Sequence, residues 1–277
     1  MQLIDIGNSL LLSEAEGWNQ TGKDWNRLAG DPQNSCLVAE YQNRIIGTAT
    51  AMNYANDVAW IGMVLVDKDY RGRGISKMLL SGLLNQLGSC RSVKLDATPA
   101  GQPVYEKFGF TGEYLIYRMT NLCVEGFQHY KRDNVILPVQ LSDIPGITAM
   151  DHTIFGAERS TLITSLVKEN PEKAWSLKQN GRITGFALGR QGRKYHQVGP
   201  VFAPSFTDAR ELISTALSDL HQQPVVMDVL SDKEDLIRWL NSIGFTSQRH
   251  FVRMYLRANP LPGIPGNQFL ICGPEFG

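Results

Sequence analysis

The sequence predicts a mixed α/β protein assembled from two like halves, and three observations carry that prediction. A nearly unbroken apolar run at 58–66 passes through two spaced glycines, Gly72 and Gly74, into a stretch with leucines at helical spacing. Strand-like and helix-like stretches alternate around it through residue 120. Short phrases of the first half then return, in the same order, in the second.

Taken in order, residues 10–30 carry helical signals, with Trp18, Trp25 and Leu28 spaced to share a face. SCLVAEY (35–41) and QNRIIGTATAMNY (42–54) read as two strands joined by a short asparagine-containing turn. VAWIGMVLV (58–66) reads as a strand buried on both faces. After the glycine loop, Met78, Leu79, Leu83, Leu84 and Leu87 mark a helix over 76–87, and Gly88 suits its stop. SVKLDAT (92–98) is a strand, GQPVYEKF (101–108) a short helix, and TGEYLIYRMT (111–120) the last strand of the first half. The polar stretch NLCVEGFQHYKRDN (121–134) precedes a new strand at VILPV, which sets the first domain at 1–125 and the second at 126–258. The tail, 259–277, is too rich in proline and glycine for a helix. Phe269, Leu270, Ile271 and Phe276 equip it to dock on a domain, with FLIC as a short strand.

The repeat is specific. GFT at 109–111 returns at 244–246 and YRM at 117–119 as VRM at 252–254, both displaced by 135 positions. QNRIIG (42–47) returns as QNGRITG (179–185) at nearly the same displacement. Carried along the chain, that displacement maps Val66 onto Val201 and keeps a strand at QVGPVFA (197–203). It maps Arg71–Ser76 onto Phe206–Glu211, where no glycine remains and Asp208 and Glu211 oppose an anion. Tyr105 maps onto Leu240. The second half is expected to keep the scaffold and lack the ligand loop.

Composition narrows the class. Lysine and arginine number 27 against 27 aspartates and glutamates, so no basic footprint argues for nucleic acid or an anionic membrane as partner. Cys36, Cys90, Cys123 and Cys272 lie far apart with no CxxC pair, which suits reduced thiols, no metal site and a cytoplasmic protein. No apolar run approaches the ~20 residues of a membrane span, and the N-terminus lacks a signal-peptide pattern.

A glycine turn between a buried strand and a helix N-terminus aims several backbone N–H groups one way, toward a phosphate. A phosphate loop of the nucleotide triphosphatases would need Gly-Lys-Ser/Thr, whereas the order here is Gly74-Ile75-Ser76-Lys77. The dinucleotide fingerprint fails because Lys77 stands where its third glycine belongs. Arg-x-x-Gly-x-small fits, through Arg71, Gly74 and Ser76.

On those residues the sequence resembles the GNAT acetyltransferase superfamily, whose acetyl-CoA loop reads Gln/Arg-x-x-Gly-x-Gly/Ala; serine in the third place is a small departure. PVYEKFGF (103–110) resembles that family's later helix–turn element, with Tyr105 where a tyrosine lies near the CoA sulfur. LDATPAGQPVYEKFGF and WLNSIGF resemble bacterial tandem-GNAT proteins that pair an intact N-terminal domain with a degenerate C-terminal one. The resemblance implies two domains, each a mixed, mainly antiparallel sheet flanked by helices. It implies acetyl-CoA as co-substrate without a metal, with backbone groups around Val64 and Val66 on the pantetheine arm. Amides of Arg71, Gly72, Arg73, Gly74, Ile75, Ser76 and Lys77 would hold the pyrophosphate, and Tyr105 would protonate the leaving thiolate. The segment around Trp18, Asn19 and Trp25 resembles the border of the acceptor pocket.

The base stays open. All five histidines (129, 152, 196, 221, 250) lie beyond the first domain; Glu14, Glu16, Asp24, Asp57 and Asp96 are candidate carboxylates, each of which reads equally as a surface charge or a cap. The expected activity is acetyl transfer to a primary amine of a small molecule, in a chain free to form a homo-oligomer. A non-catalytic acyl-CoA sensor or partner-binding protein, and an acetyltransferase of protein lysines or N-termini, are the alternatives. The second domain would complete the acceptor pocket as an internal dimer partner would, or serve as a stabilising module.

Overall fold

Each half places two helices ahead of its first β-hairpin, separated by a short break. A computed structural model of the chain describes residues 1–125 and 135–277. The helical region at the N-terminus divides into α1 (Ile6–Ala15) and α2 (Gly22–Ala29). Gly17 takes a left-handed φ of 70° between them, and Thr21 opens α2 with a capping box in which Asp24 reaches back to the Thr21 amide at 2.8 Å.

The strands follow as patterned: β1 (Ser35–Tyr41), β2 (Arg44–Tyr54), β3 (Val58–Val66), then α3 (Ile75–Gln86), β4 (Ser92–Ala97), α4 (Gln102–Glu106) and β5 (Phe110–Asn121). The second half repeats the series with β6 (Val135–Pro138), α5 (Ile144–Phe155), α6 (Ser160–Glu169), β7 (Ala174–Gln179), β8 (Arg182–Gln191), β9 (His196–Phe202), α7 (Phe206–Ser218), β10 (Val225–Leu230), α8 (Glu234–Ser242) and β11 (Thr246–Leu256). The repeated Gln-Asn phrases are hairpin turns. Gln42 and Asn43 sit at φ 50° and 60°, Asn180 and Gly181 at 50° and 74°. The polar stretch 126–134, which includes His129 and the expected junction, lies outside the described residues.

Among the described residues, twelve strands form one mostly antiparallel sheet in the order β1-β2-β3-β4-β11-β5-β10-β12-β9-β8-β7-β6. The halves exchange their last strands. β11 of the second half lies between β4 and β5 of the first, and β5 lies between β11 and β10 of the second. Two buried ion pairs tie the exchange in opposite directions: Arg118 on β5 to Asp228 on β10, and Arg253 on β11 to Asp96 on β4. On one face, α1, α2, α5 and α6 share a core containing Trp25, Trp60, Phe155, Phe186, Phe202 and Phe276. On the other, α3 covers the first half and α7 and α8 the second.

The tail docks as its apolar residues require. Phe269, Leu270, Ile271, Cys272 and Phe276 are buried, and β12 (Gln268–Leu270) inserts between β9 and β10. One expectation needs correcting here: the displacement of 135 positions does not hold across the loop. α3 starts after Gly74 and α7 after Ser205, because only 203–205 join β9 to α7 whereas 67–74 join β3 to α3. The second half has therefore lost its loop by shortening rather than by substitution. Ser205 caps α7, accepting from the Asp208 amide at 3.2 Å and donating to the Asp208 carboxylate. No helix among the described residues is long and apolar enough to cross a membrane.

Candidate active site

β3 and β4 run parallel, and their ladder covers only Val58–Ile61 against Ser92–Leu95. Beyond it the strands part. Met63 adopts φ 50°, and the register between β2 and β3 shifts between Thr48 and Thr50, a bulge that bends β3 away from β4. The two threonines hold the bulge from β2, Thr48 Oγ1 donating to the Met63 carbonyl at 2.8 Å and Thr50 Oγ1 to the Gly62 carbonyl at 3.0 Å. A cavity of about 610 Å³ opens in the split. In the second half the corresponding ladder, β9 with β10, covers only His196–Val198 against Val225–Met227, and β12 fills the space beyond it.

At one end of the cavity stands the glycine loop. Gly72 and Gly74 take φ of 77° and 82°, and a Cβ on either would meet no atom within 4 Å, so both face open space. No side chain caps α3, which leaves its first-turn amides free for an external acceptor. Lys77 beside them has no ion-pair partner among the described residues. Val64, Val66, Arg71, Gly72, Gly74, Ile75, Ser76 and Lys77 all line the cavity; Arg73 does not. Its guanidinium stacks 5.0 Å from the Tyr70 ring and donates to the Asp69 carbonyl. Arg71 acts as a strut, donating to the Val66 carbonyl at 3.1 Å and to Glu16 at 2.6 Å, and so ties the loop to the end of α1.

Tyr105 enters from α4, edge-on to Phe110 with ring centroids 5.9 Å apart. Burial raises its hydroxyl pKa above that of an ordinary phenol, so the proton stays on the oxygen at neutral pH.

The opposite wall draws on both halves. Trp18 and Gln20 come from the loop between α1 and α2, Arg118 from β5, Arg249 and Phe251 from β11, and Pro274 and Glu275 from the tail. Gly62 permits the approach of the tail, since a Cβ there would lie 3.0 Å from Glu275 Cα. Glu275 accepts from Arg190 and, at 2.9 Å, from Gln20 Nε2; burial raises its pKa against the pull of Arg190.

Of Trp18, Asn19 and Trp25, only Trp18 reaches this wall. Trp25 is fully buried in the core with its indole N–H directed at Ser13 Oγ. Asn19 clamps the β8–β9 turn, accepting from the Lys194 and Tyr195 amides and donating to the Tyr195 carbonyl. Of the carboxylates weighed from the sequence, Glu16 and Asp96 line the cavity, Asp96 with both oxygens held by Arg253. Glu14 and Asp57 face surface arginines, and Asp24 is held by Thr21, Arg27 and Arg190. Sequence reasoning missed Gln20, Arg249, Phe251 and Glu275. The returning YRM and VRM phrases were the one signal pointing at these strands.

The sequence model of the acetyltransferase (GNAT) family matches residues 8–110, and that of an acetyltransferase (GNAT) domain matches residues 147–270. The chain belongs to the GNAT acetyltransferases, in tandem form. Among its GNAT relatives is YitH of Bacillus subtilis, an uncharacterized N-acetyltransferase, 30% identical over 187 residues. That match spans 67% of this chain and 65% of the relative. A holothin acyltransferase of Pseudoalteromonas is 22% identical over 253 residues, 89% of this chain and 83% of that one. The same fold recurs in a Pyrococcus horikoshii protein at a TM-score of 0.81 and 20% identity, covering 100% of this chain and 94% of that one. A tandem GNAT protein from the clavulanic acid biosynthesis pathway has a TM-score of 0.63 at 12% identity, with 94% and 98% covered.

Proposed function

We propose that the chain is an acetyl-CoA-dependent N-acetyltransferase that modifies a primary amine of a small molecule by direct attack within a ternary complex. The observation that carries this reading is the split between β3 and β4, open in the first half and filled by β12 in the second. The open split ends at the glycine loop, whose uncapped helix N-terminus and neighbouring Lys77 fit a pyrophosphate.

The amine lone pair attacks the thioester carbonyl, a C–N bond forms and the C–S bond breaks. Backbone amides at the β3 bulge stabilise the oxyanion that develops. The thiolate takes its proton from the Tyr105 hydroxyl. An alkylammonium with a pKa near ~10 must first lose a proton, and Glu275, its pKa raised by burial, is the carboxylate the tail brings to the acceptor wall for that purpose.

The wall built from β5, β11 and the tail supports a small acceptor rather than an extended peptide. The testing experiment is calorimetric titration of acetyl-CoA into wild type, Gly74→Glu and Gly181→Glu. Gly181 shares the left-handed backbone and the open surroundings of Gly74 but lies outside the cavity, so it controls for strain. One site per chain, lost only in Gly74→Glu, is the expected result. No binding to wild type would remove the reading.

A further inference from the structure

Two polar atoms on the acceptor wall are buried without a hydrogen-bond partner: Nε of Arg249 and Oε1 of Gln20. Their neighbours explain why. Alternation along β11 turns Arg249, Phe251 and Arg253 toward the face of α1, α2 and the tail, while Val252 and Met254 face α3. Arg253 is matched by Asp96. Arg118, directly opposite Arg249 in the β5–β11 ladder, is matched by both oxygens of Asp228, which also accepts from Gln197. No carboxylate is left for Arg249, which forms no ion pair among the described residues.

Burial and the adjacent Arg118 charge pull the Arg249 pKa down to about 10, the mark of a cation short of a counter-charge. Gln20 is fixed from its other end, since its Nε2 is spent on Glu275, and its Oε1 is buried on the same wall with its acceptor capacity unmet. The wall therefore offers a cationic fork at one point and an unsatisfied acceptor at another, with Trp18, Phe251 and Pro274 supplying apolar surface.

We propose that the acceptor is an amino carboxylate, its carboxylate held by the Arg249 guanidinium and its amine N–H accepted by Gln20 Oε1. This rests on the acetyltransferase reading and names the class of its acceptor. A guanidinium matches the two oxygens of a carboxylate in charge and in plane. A phosphate monoester, carrying nearly two charges, would need a second free cation. Arg118 is already neutralised, and Lys77 stands at the loop.

The test titrates amino carboxylates (glycine, β-alanine, 4-aminobutyrate, lysine and phenylalanine) and their decarboxylated counterparts into CoA-loaded wild type, Arg249→Gln and Arg249→Lys. Phosphoethanolamine is included as the phosphate arm. The expected result is that at least one amino carboxylate binds and its decarboxylated amine does not. Arg249→Gln weakens that binding about 10–100-fold with CoA affinity unchanged, and Arg249→Lys restores part of it. If CoA binds and no amino carboxylate does, if Arg249→Gln binds it as well as wild type, or if phosphoethanolamine is preferred, this inference is overturned and the acetyltransferase reading stands. If CoA itself fails to bind, both fall.

Discussion

Arg253 on β11 donates from Nε and Nη2 to the two carboxylate oxygens of Asp96 on β4, 2.9 Å each, in a site closed to water. Arg118 and Asp228 repeat the arrangement between β5 and β10 at 2.8 Å. Each arginine belongs to one half and each aspartate to the other, so the exchanged strands are locked by mirrored forks. Asp96 and Arg118 also line the cavity, which joins the lock between the halves to the site they build.

Breaking one fork should cost far more than removing it whole. Asp96→Ala leaves the Arg253 cation buried and is expected to destabilise the protein by about 3–5 kcal/mol. Asp96→Leu combined with Arg253→Met should recover most of that loss. Urea unfolding of wild type, Asp96→Ala and the double variant measures the difference. Equal midpoints for Asp96→Ala and wild type would mean the fork does not hold the exchange.

The tail strand should behave as core. Leu270 is fully buried between β9 and β10, paired with Val201 on one side and Val229 on the other. Leu270→Ala is expected to cost about 2–5 kcal/mol. The midpoint of chemical denaturation reads it directly. A tail that merely rests on the surface would leave that midpoint within error.

Tyr105 should matter to turnover and not to cofactor affinity. Removing its hydroxyl in Tyr105→Phe keeps the edge-on packing with Phe110. The variant is expected to lose roughly 10²–10⁴-fold in kcat with acetyl-CoA binding unchanged. Steady-state kinetics with calorimetry separate the two. An unchanged kcat would assign the thiolate's proton to solvent.

The order of elements and the loop were legible because both are local. Val58–Val66 announces a buried strand by composition, and Gly72 and Gly74 announce a turn by backbone geometry. The acceptor wall was not legible. Arg249 and Glu275 reach the cavity only because β11 crosses to the other half and the tail threads between β9 and β10. Nothing periodic in a sequence encodes a strand exchange. Asn19 and Trp25 mislead for a related reason: a polar or aromatic residue beside a site reads alike whether it faces ligand, core or the other half.

Lys94 gives the fold a pH dependence of definite sign. It sits buried on β4, its Nζ donating to the Leu261 carbonyl of the tail at 2.5 Å. Burial lowers its pKa from 10.5 to about 8, with Arg253 adding to the fall and Glu113 and Asp96 opposing it. Below pH 8 the amine is charged in both folded and unfolded chains, and the folded state carries the full penalty. Between about 8 and 10.5 the unfolded chain still binds the proton that the folded chain has released, so the Lys94 contribution to stability rises with pH. Lys94→Met removes the titration. The stability of wild type relative to Lys94→Met should therefore climb across that window by up to roughly 3 kcal/mol. Denaturant midpoints of both proteins through the window measure it, and a relative stability that stays flat or falls would mean that Lys94 is not held in the low-dielectric seam between β4 and the tail.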